Sequence, residues 1–164
     1  MSTKKVALIG ISVSLAMVLS FFESLIPPLV AIPGIKIGLA NIVSLFLLYK
    51  LGFFAALGVG VLRVLLSSLL FGNLQIFVFS LAGACLSLIG MAILKKISIF
   101  SCVAVSVAGG VLHNVGQIIV AALWTQTPQI AFYLPVLLVS GTVAGVVIGL
   151  LASLILKRLD KLNI

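Results

Sequence analysis

Six apolar runs, separated by short stretches that carry lysine, proline, glycine or asparagine, set the pattern of the chain. They span approximately Val6–Ile26, Ile37–Tyr49, Phe53–Phe71, Leu74–Leu94, Ile97–Trp124 and Ile130–Leu156. A helix crosses the hydrocarbon core with about 20 apolar residues, and roughly 17 to 25 suffice once tilt and bundle burial are allowed for. The second run is short for a full span. It follows "IPPLVAIPGIK", where Pro27, Pro28, Pro33 and Gly34 forbid a continuous helix. The expectation there is a Pro-rich outer loop that dips onto the bundle, followed by a helix that begins below the surface. The predicted fold is an all-α integral membrane bundle of six transmembrane helices, a single domain over residues 1–164.

Small residues within these runs predict how the helices pack. The last run places Gly141, Gly145, Gly149 and Ser153 at four-residue spacing, and the third places Gly52, Ala56 and Gly60 in the same way. The first carries Ser12, Ala16 and Ser20, with Glu23 one turn further on. Stripes of this kind let helix backbones approach closely.

Composition agrees with a membrane class: 63% of the 164 residues are hydrophobic and only 7% are charged, too little polar surface for a water-soluble domain. The net charge of +8 is spread in ones and twos between apolar runs, so it marks topology rather than a nucleic-acid surface. Lys4, Lys5, Lys50, Lys95, Lys96, Lys157, Arg158 and Lys161 fall at the two termini and in the second and fourth loops, whereas the other three loops hold only Lys36. By the positive-inside rule both termini are cytoplasmic and the Pro-rich loop faces outward, which an even number of spans satisfies. No small-residue cleavage site follows the first run, so it reads as a spanning helix rather than a removable signal. Cys85 and Cys102 lie alone in separate runs and read as buried thiols.

Orientation converts sequence position into depth. Glu23 lies near the outer end of the first run and Lys36 just before the second, with Asn41 about one turn further in; Arg63 is near the middle of the third. Asn73 and Gln75 bracket an outer turn, and "GGVLHNVGQ" sets His113, Asn114 and Gln117 in the middle and outer half of the fifth. Almost every polar side chain outside the cytoplasmic loops therefore falls in the outer half of the bundle, the pattern of a one-sided pocket.

A charge near the bilayer centre costs roughly 2.5 to 3.5 kcal/mol on insertion scales, so Arg63 is expected to face a partner, a cavity or water. Glu23 is the one acid near it, the other acid in the chain being Asp160. If Glu23 pairs with Arg63 or Lys36, one positive group is left over, and His113 adds another when protonated. That surplus fits an anionic ligand, or one with a carboxylate or phosphate head on an apolar body. Two readings of Arg63 and Glu23 stand side by side: an ion pair that holds the third helix against the first, or ligand contact. His113 and Gln117 are one turn apart and share a face with Gly109 and Ala121, which suits a ligand ring or head group. Asn114, on another face, and Asn73 and Gln75 near the surface read as interhelical glue, worth about 0.6 kcal/mol per hydrogen bond, or as interface placement. Phe21, Phe22, Trp124 and Tyr133 read as interfacial aromatics or packing.

Two acids exclude paired-carboxylate catalysis and an aspartate-rich diphosphate–magnesium motif, and the chain has no "GKS" or "GKT" phosphate loop. A single histidine without clustered cysteines or acids offers no transition-metal site. No catalytic residue, metal, cofactor or nucleic-acid partner is expected, and active transport would draw its energy from an ion gradient or a partner.

The segments "PGIKIGLANIV" (Pro33–Val43), "RVLLSSLLFG" (Arg63–Gly72), "FSLAGACLS" (Phe79–Ser87) and "GGVLHNVGQ" resemble, in order and over most of the chain, the bacterial membrane family called Gx transporter or heptaprenyl diphosphate synthase component I. The family's plan is similar to that of the S components of energy-coupling factor transporters. That resemblance implies an outward-facing pocket capped by the first loop, with a separate membrane subunit and two ATPases driving release. The synthase name implies a membrane partner in prenyl-chain elongation for menaquinone, where the aspartate-rich motifs lie in another, soluble component. S components often show AxxxA on the first helix for docking the coupling subunit, and Ser12, Ala16 and Ser20 stand in its place here. The leading expectation is an S-component-like subunit of the bacterial cell membrane that binds a small anionic or amphipathic molecule. Glu23, Lys36, Asn41, Arg63, His113 and Gln117 would line its site. The alternatives are a non-catalytic membrane component of heptaprenyl diphosphate or menaquinone synthesis, working beside a soluble prenyl synthase, and a structural subunit of a membrane assembly.

Overall fold

The computed structural model describes residues 3–25 and 38–161, apart from the side chains of Lys4, Asp160 and Lys161, and turns every apolar run into a helix. The helices are α1 (Thr3–Ser24), α2 (Asn41–Lys50), α3 (Phe53–Phe71), α4 (Leu74–Lys96), α5 (Cys102–Thr125) and α6 (Leu134–Lys161), with a 3-10 helix (Pro128–Tyr133) before α6. No strand occurs among the described residues. Five of the described helices are long and apolar enough to cross a membrane, and α2 is a shorter apolar helix. The chain is a multi-pass membrane protein built as an all-α bundle of six helices. The Pro-rich stretch, with Pro27, Pro28, Pro33, Gly34 and Lys36, lies outside the described residues.

Helix ends follow local chemistry more closely than hydropathy. The fifth helix does not begin at Ile97. After Lys96 the chain turns, Ser98 takes a left-handed conformation (φ 53°), and Ser101 caps α5 by accepting a hydrogen bond from the Ala104 N–H at 3.2 Å. Four apolar or small residues in that turn look helical by hydropathy alone, but the exposed Ile97, Ile99 and Phe100 belong to a connection. The sixth helix likewise starts at Leu134 instead of Ile130, because Pro128 opens a 3-10 turn first. Gly52, expected to pack between helices, takes a positive φ of 91° in the turn between α2 and α3, and a Cβ there would touch nothing within 4 Å. Asn73 caps α4, its side chain accepting from the Ile76 N–H at 2.9 Å.

Packing explains why α2 can be short. It touches α1, α3, α4 and α6, and Val43, Leu45, Leu47 and Leu48 are buried. A helix enclosed by protein need not match the bilayer thickness. Its last turn is fastened by Lys95 of α4, whose Nζ donates to the Leu48 carbonyl at 2.7 Å and lies 4.9 Å from the centre of the Tyr49 ring.

α5 packs most extensively, between α4 and α6. On the α6 side contact is backbone to backbone: a Cβ on Gly141 would sit 2.8 Å from the Gly110 carbonyl oxygen, one on Gly145 2.6 Å from Val107 Cα, and one on Gly149 2.7 Å from Val103 Cα. Asn114 Nδ2 donates to the Leu137 carbonyl of α6 at 2.6 Å. Asn114→Leu is expected to lower stability by about 0.6 to 1.7 kcal/mol, the range of interhelical hydrogen bonds in membranes, while leaving ligand retention intact. Thermal melting in detergent beside a binding measurement checks both halves of that expectation.

Candidate functional site

Buried polar side chains gather where α1 ends and α2 begins. The buried face of α1 runs Ser12, Ala16, Ser20 and Glu23, at helical spacing, and α1 packs on α3 and α2. The Ser-xxx-Ala-xxx-Ser stripe is thus turned into the bundle, and the exposed side of α1 instead presents Gly10, Ile11, Ser14, Leu15 and Val18.

Glu23 is buried, and one of its carboxylate oxygens, Oε1, accepts a hydrogen bond from the backbone N–H of Gly38. Gly38 has a positive φ of 86°, and a Cβ there would collide with Asn41 Nδ2 at 2.8 Å and touch His113 Cδ2 at 3.9 Å. Glycine at this position both allows the turn into α2 and brings Glu23, Asn41 and His113 to one place. A second glycine completes the approach from α4: a Cβ on Gly83 would lie 2.9 Å from Gln117 Cγ and 3.2 Å from His113 Cε1. His113 and Gln117 are buried on adjacent turns of α5, and both side chains are engaged in interactions.

Arg63 reaches the bundle interior from α3, only 5% exposed. It interacts electrostatically with Glu23, yet its Nε and Nη2 have no hydrogen-bond partner among the described residues, nor does Glu23 Oε2. The two charges enter at different depths. Phe21 of α1 and Phe71 of α3 pack with ring centroids 5.3 Å apart. Arg63 precedes the end of α3 by two turns, whereas Glu23 is one residue from the end of α1. Glu23, Asn41, His113 and Gln117 form one cluster; Arg63 lies deeper, and Lys36 falls outside the described residues.

Buried serines add further polar groups to the bundle interior. Ser20, Ser68, Ser80 and Ser87 are buried with hydroxyls unpartnered among the described residues. Ser80, Gly83 and Ser87 share one face of α4 at helical spacing, a signal that was available in the sequence. Below Asn41 a small cavity is lined by Asn41, Ser87, Met91, Ser106, Gly109 and Gly145. Leu45, Ala144 and Ile148 also line it, and a Cβ on Gly109 would meet Met91 Sδ at 2.6 Å.

A family model described as heptaprenyl diphosphate synthase component I matches residues 6–155. Neither the curated proteins nor the solved structures give a match.

Proposed function

The chain belongs to the heptaprenyl diphosphate synthase component I family of membrane proteins, and from that premise we propose that it is a substrate-binding and transport subunit that captures a small anionic or amphipathic molecule. The observation that carries this reading is Arg63: a guanidinium 5% exposed in an apolar bundle, with two nitrogens lacking hydrogen-bond partners among the described residues. Buried donors of this strength are expensive to leave unmade, and an anion satisfies them. Glu23, Asn41, His113 and Gln117 supply the walls, and Lys36 is expected to add a further positive charge.

The lysine distribution supports a bacterial cell-membrane orientation with both termini cytoplasmic, so that the cluster opens outward. Release then rests on a coupling membrane subunit with ATPases, as in the transporters whose plan the sequence resembles. Mass spectrometry of the purified protein is expected to find a bound small molecule that Arg63→Ala and His113→Ala each lose, together with uptake into cells. Unchanged uptake in both variants, with no molecule bound, would sink the reading.

The family description favours a second reading, in which the same positive interior holds a lipid diphosphate for a soluble prenyl synthase. Co-purification with a prenyltransferase instead of ATPase subunits separates the two.

A further inference from the structure

Resting on the binding reading above, we propose that the ligand is a zwitterion: its anionic group goes to Arg63, deep in the bundle, and a cationic hydrogen-bond donor goes to Glu23 near the end where α1 stops. Both charged side chains are more than nine-tenths buried, and each is only part satisfied among the described residues. What is missing at Arg63 is an acceptor, for Nε and Nη2; what is missing at Glu23 is a donor, for Oε2. A plain anion answers the first need and worsens the second, because it brings a second negative charge into a low-dielectric interior beside a carboxylate. A plain cation does the reverse. A molecule carrying both groups pairs these two charges and offers each of these atoms a partner, the condition under which buried charge is tolerated.

Geometry separates the two ends. Arg63 enters from the middle of α3, whereas Glu23 sits at the end of α1. Glu23 Oε1 is already committed to the Gly38 N–H, which fixes the carboxylate and leaves Oε2 as its open acceptor. Gly38 and Gly83 carry no side chain to hold Asn41, His113 and Gln117 away, so amide and imidazole groups close in beside the Glu23 end. The anionic end therefore enters first and the donor end stays beside the turn into α2.

Two matched probe pairs test this on the full chain purified in detergent: 4-aminobutanoate against butanoate, and phosphoethanolamine against ethyl phosphate. The amine-bearing member of at least one pair is expected to bind about tenfold or more tightly than its partner, the worth of a hydrogen bond between charged groups. Glu23→Gln keeps an acceptor for Gly38 and removes the charge, so it is expected to erase that preference while the amine-free anion still binds. Arg63→Gln is expected to weaken both members. Equal or tighter binding of the amine-free anions, or a preference that survives Glu23→Gln, overturns the zwitterion and leaves the binding reading standing. If none of the four binds, the co-purified molecule decides by mass spectrometry: one with no basic nitrogen overturns the zwitterion. The absence of any bound molecule removes the binding reading and the zwitterion with it.

Discussion

Gly145→Val is expected to prevent the chain from accumulating as a folded bundle. A Cβ at Gly145 would lie 2.6 Å from Val107 Cα and 3.0 Å from the Ser106 carbonyl oxygen, and both of these are backbone atoms. A flexible side chain can swing away from an added methyl group; a helix backbone held along its length cannot. Gly141 and Gly149 make the same approach one turn above and below, so separating the helices at Gly145 strips contacts from neighbouring turns as well. Lipid tails are as apolar as the helix surfaces, which leaves close packing and interhelical hydrogen bonds as the forces that hold α5 to α6. Overpacking an apolar interior costs about 1 to 3 kcal/mol where side chains can adjust, and the backbone clash here belongs at or above the upper end. The Asn114–Leu137 hydrogen bond, at 2.6 Å, would be stretched by the same separation. Gly58→Val is the control, since Gly58 is exposed and a Cβ there meets nothing within 4 Å. Size-exclusion profiles and melting midpoints in detergent check the contrast. If Gly145→Val elutes and melts like Gly58→Val, the glycine stripe does not set the α5–α6 distance.

The same stripe shows what hydropathy can and cannot disclose. Glycine spacing on α6 was readable because four-residue periodicity is a property of one helix. Its partner was not readable, because nothing in the sequence says that Gly110, Val107 and Val103 lie opposite. The ends of α3 were legible, since Gly52 and Gly72 bracket a run in which Arg63, Ser67 and Ser68 are the polar residues. The start of α5 was not, because the turn over residues 97–101 is itself largely apolar and only the capping serine reveals it.

Among the polar residues, charge and amide groups stand out against an apolar background, so Arg63, Glu23, Asn41, His113 and Gln117 could be named directly. The serines of α4 hardly alter mean hydropathy and pass unnoticed until their common face is drawn. Backbone partners are the least legible of all: the Gly38 N–H that holds Glu23 and the Leu137 carbonyl that holds Asn114 belong to the fold, not to any motif.

Arg63→Leu combined with Glu23→Gln is expected to be more stable than Arg63→Leu alone and still unable to retain ligand. The single Arg63 change leaves a carboxylate 4% exposed without its cation, and removing one member of a buried charged pair costs about 3 to 5 kcal/mol in extreme cases. Some of that penalty is relieved because Oε1 keeps the Gly38 N–H. Converting Glu23 to glutamine takes away the orphaned charge and preserves that acceptor, so a recovery of about 2 kcal/mol is expected on adding the second change. Binding follows different logic. If Arg63 and Glu23 served only to hold α3 against α1, the neutral pair would restore function along with stability. If the guanidinium meets the ligand, its loss removes a buried charge-assisted contact worth about 2 to 5 kcal/mol, which lowers affinity by about thirtyfold or more whatever stands at position 23. Melting midpoints for the two singles and the double, measured beside retention of the co-purified molecule, separate these cases. Recovery of both stability and retention in the double variant would assign Arg63 and Glu23 to architecture. Recovery of stability alone assigns Arg63 to the ligand.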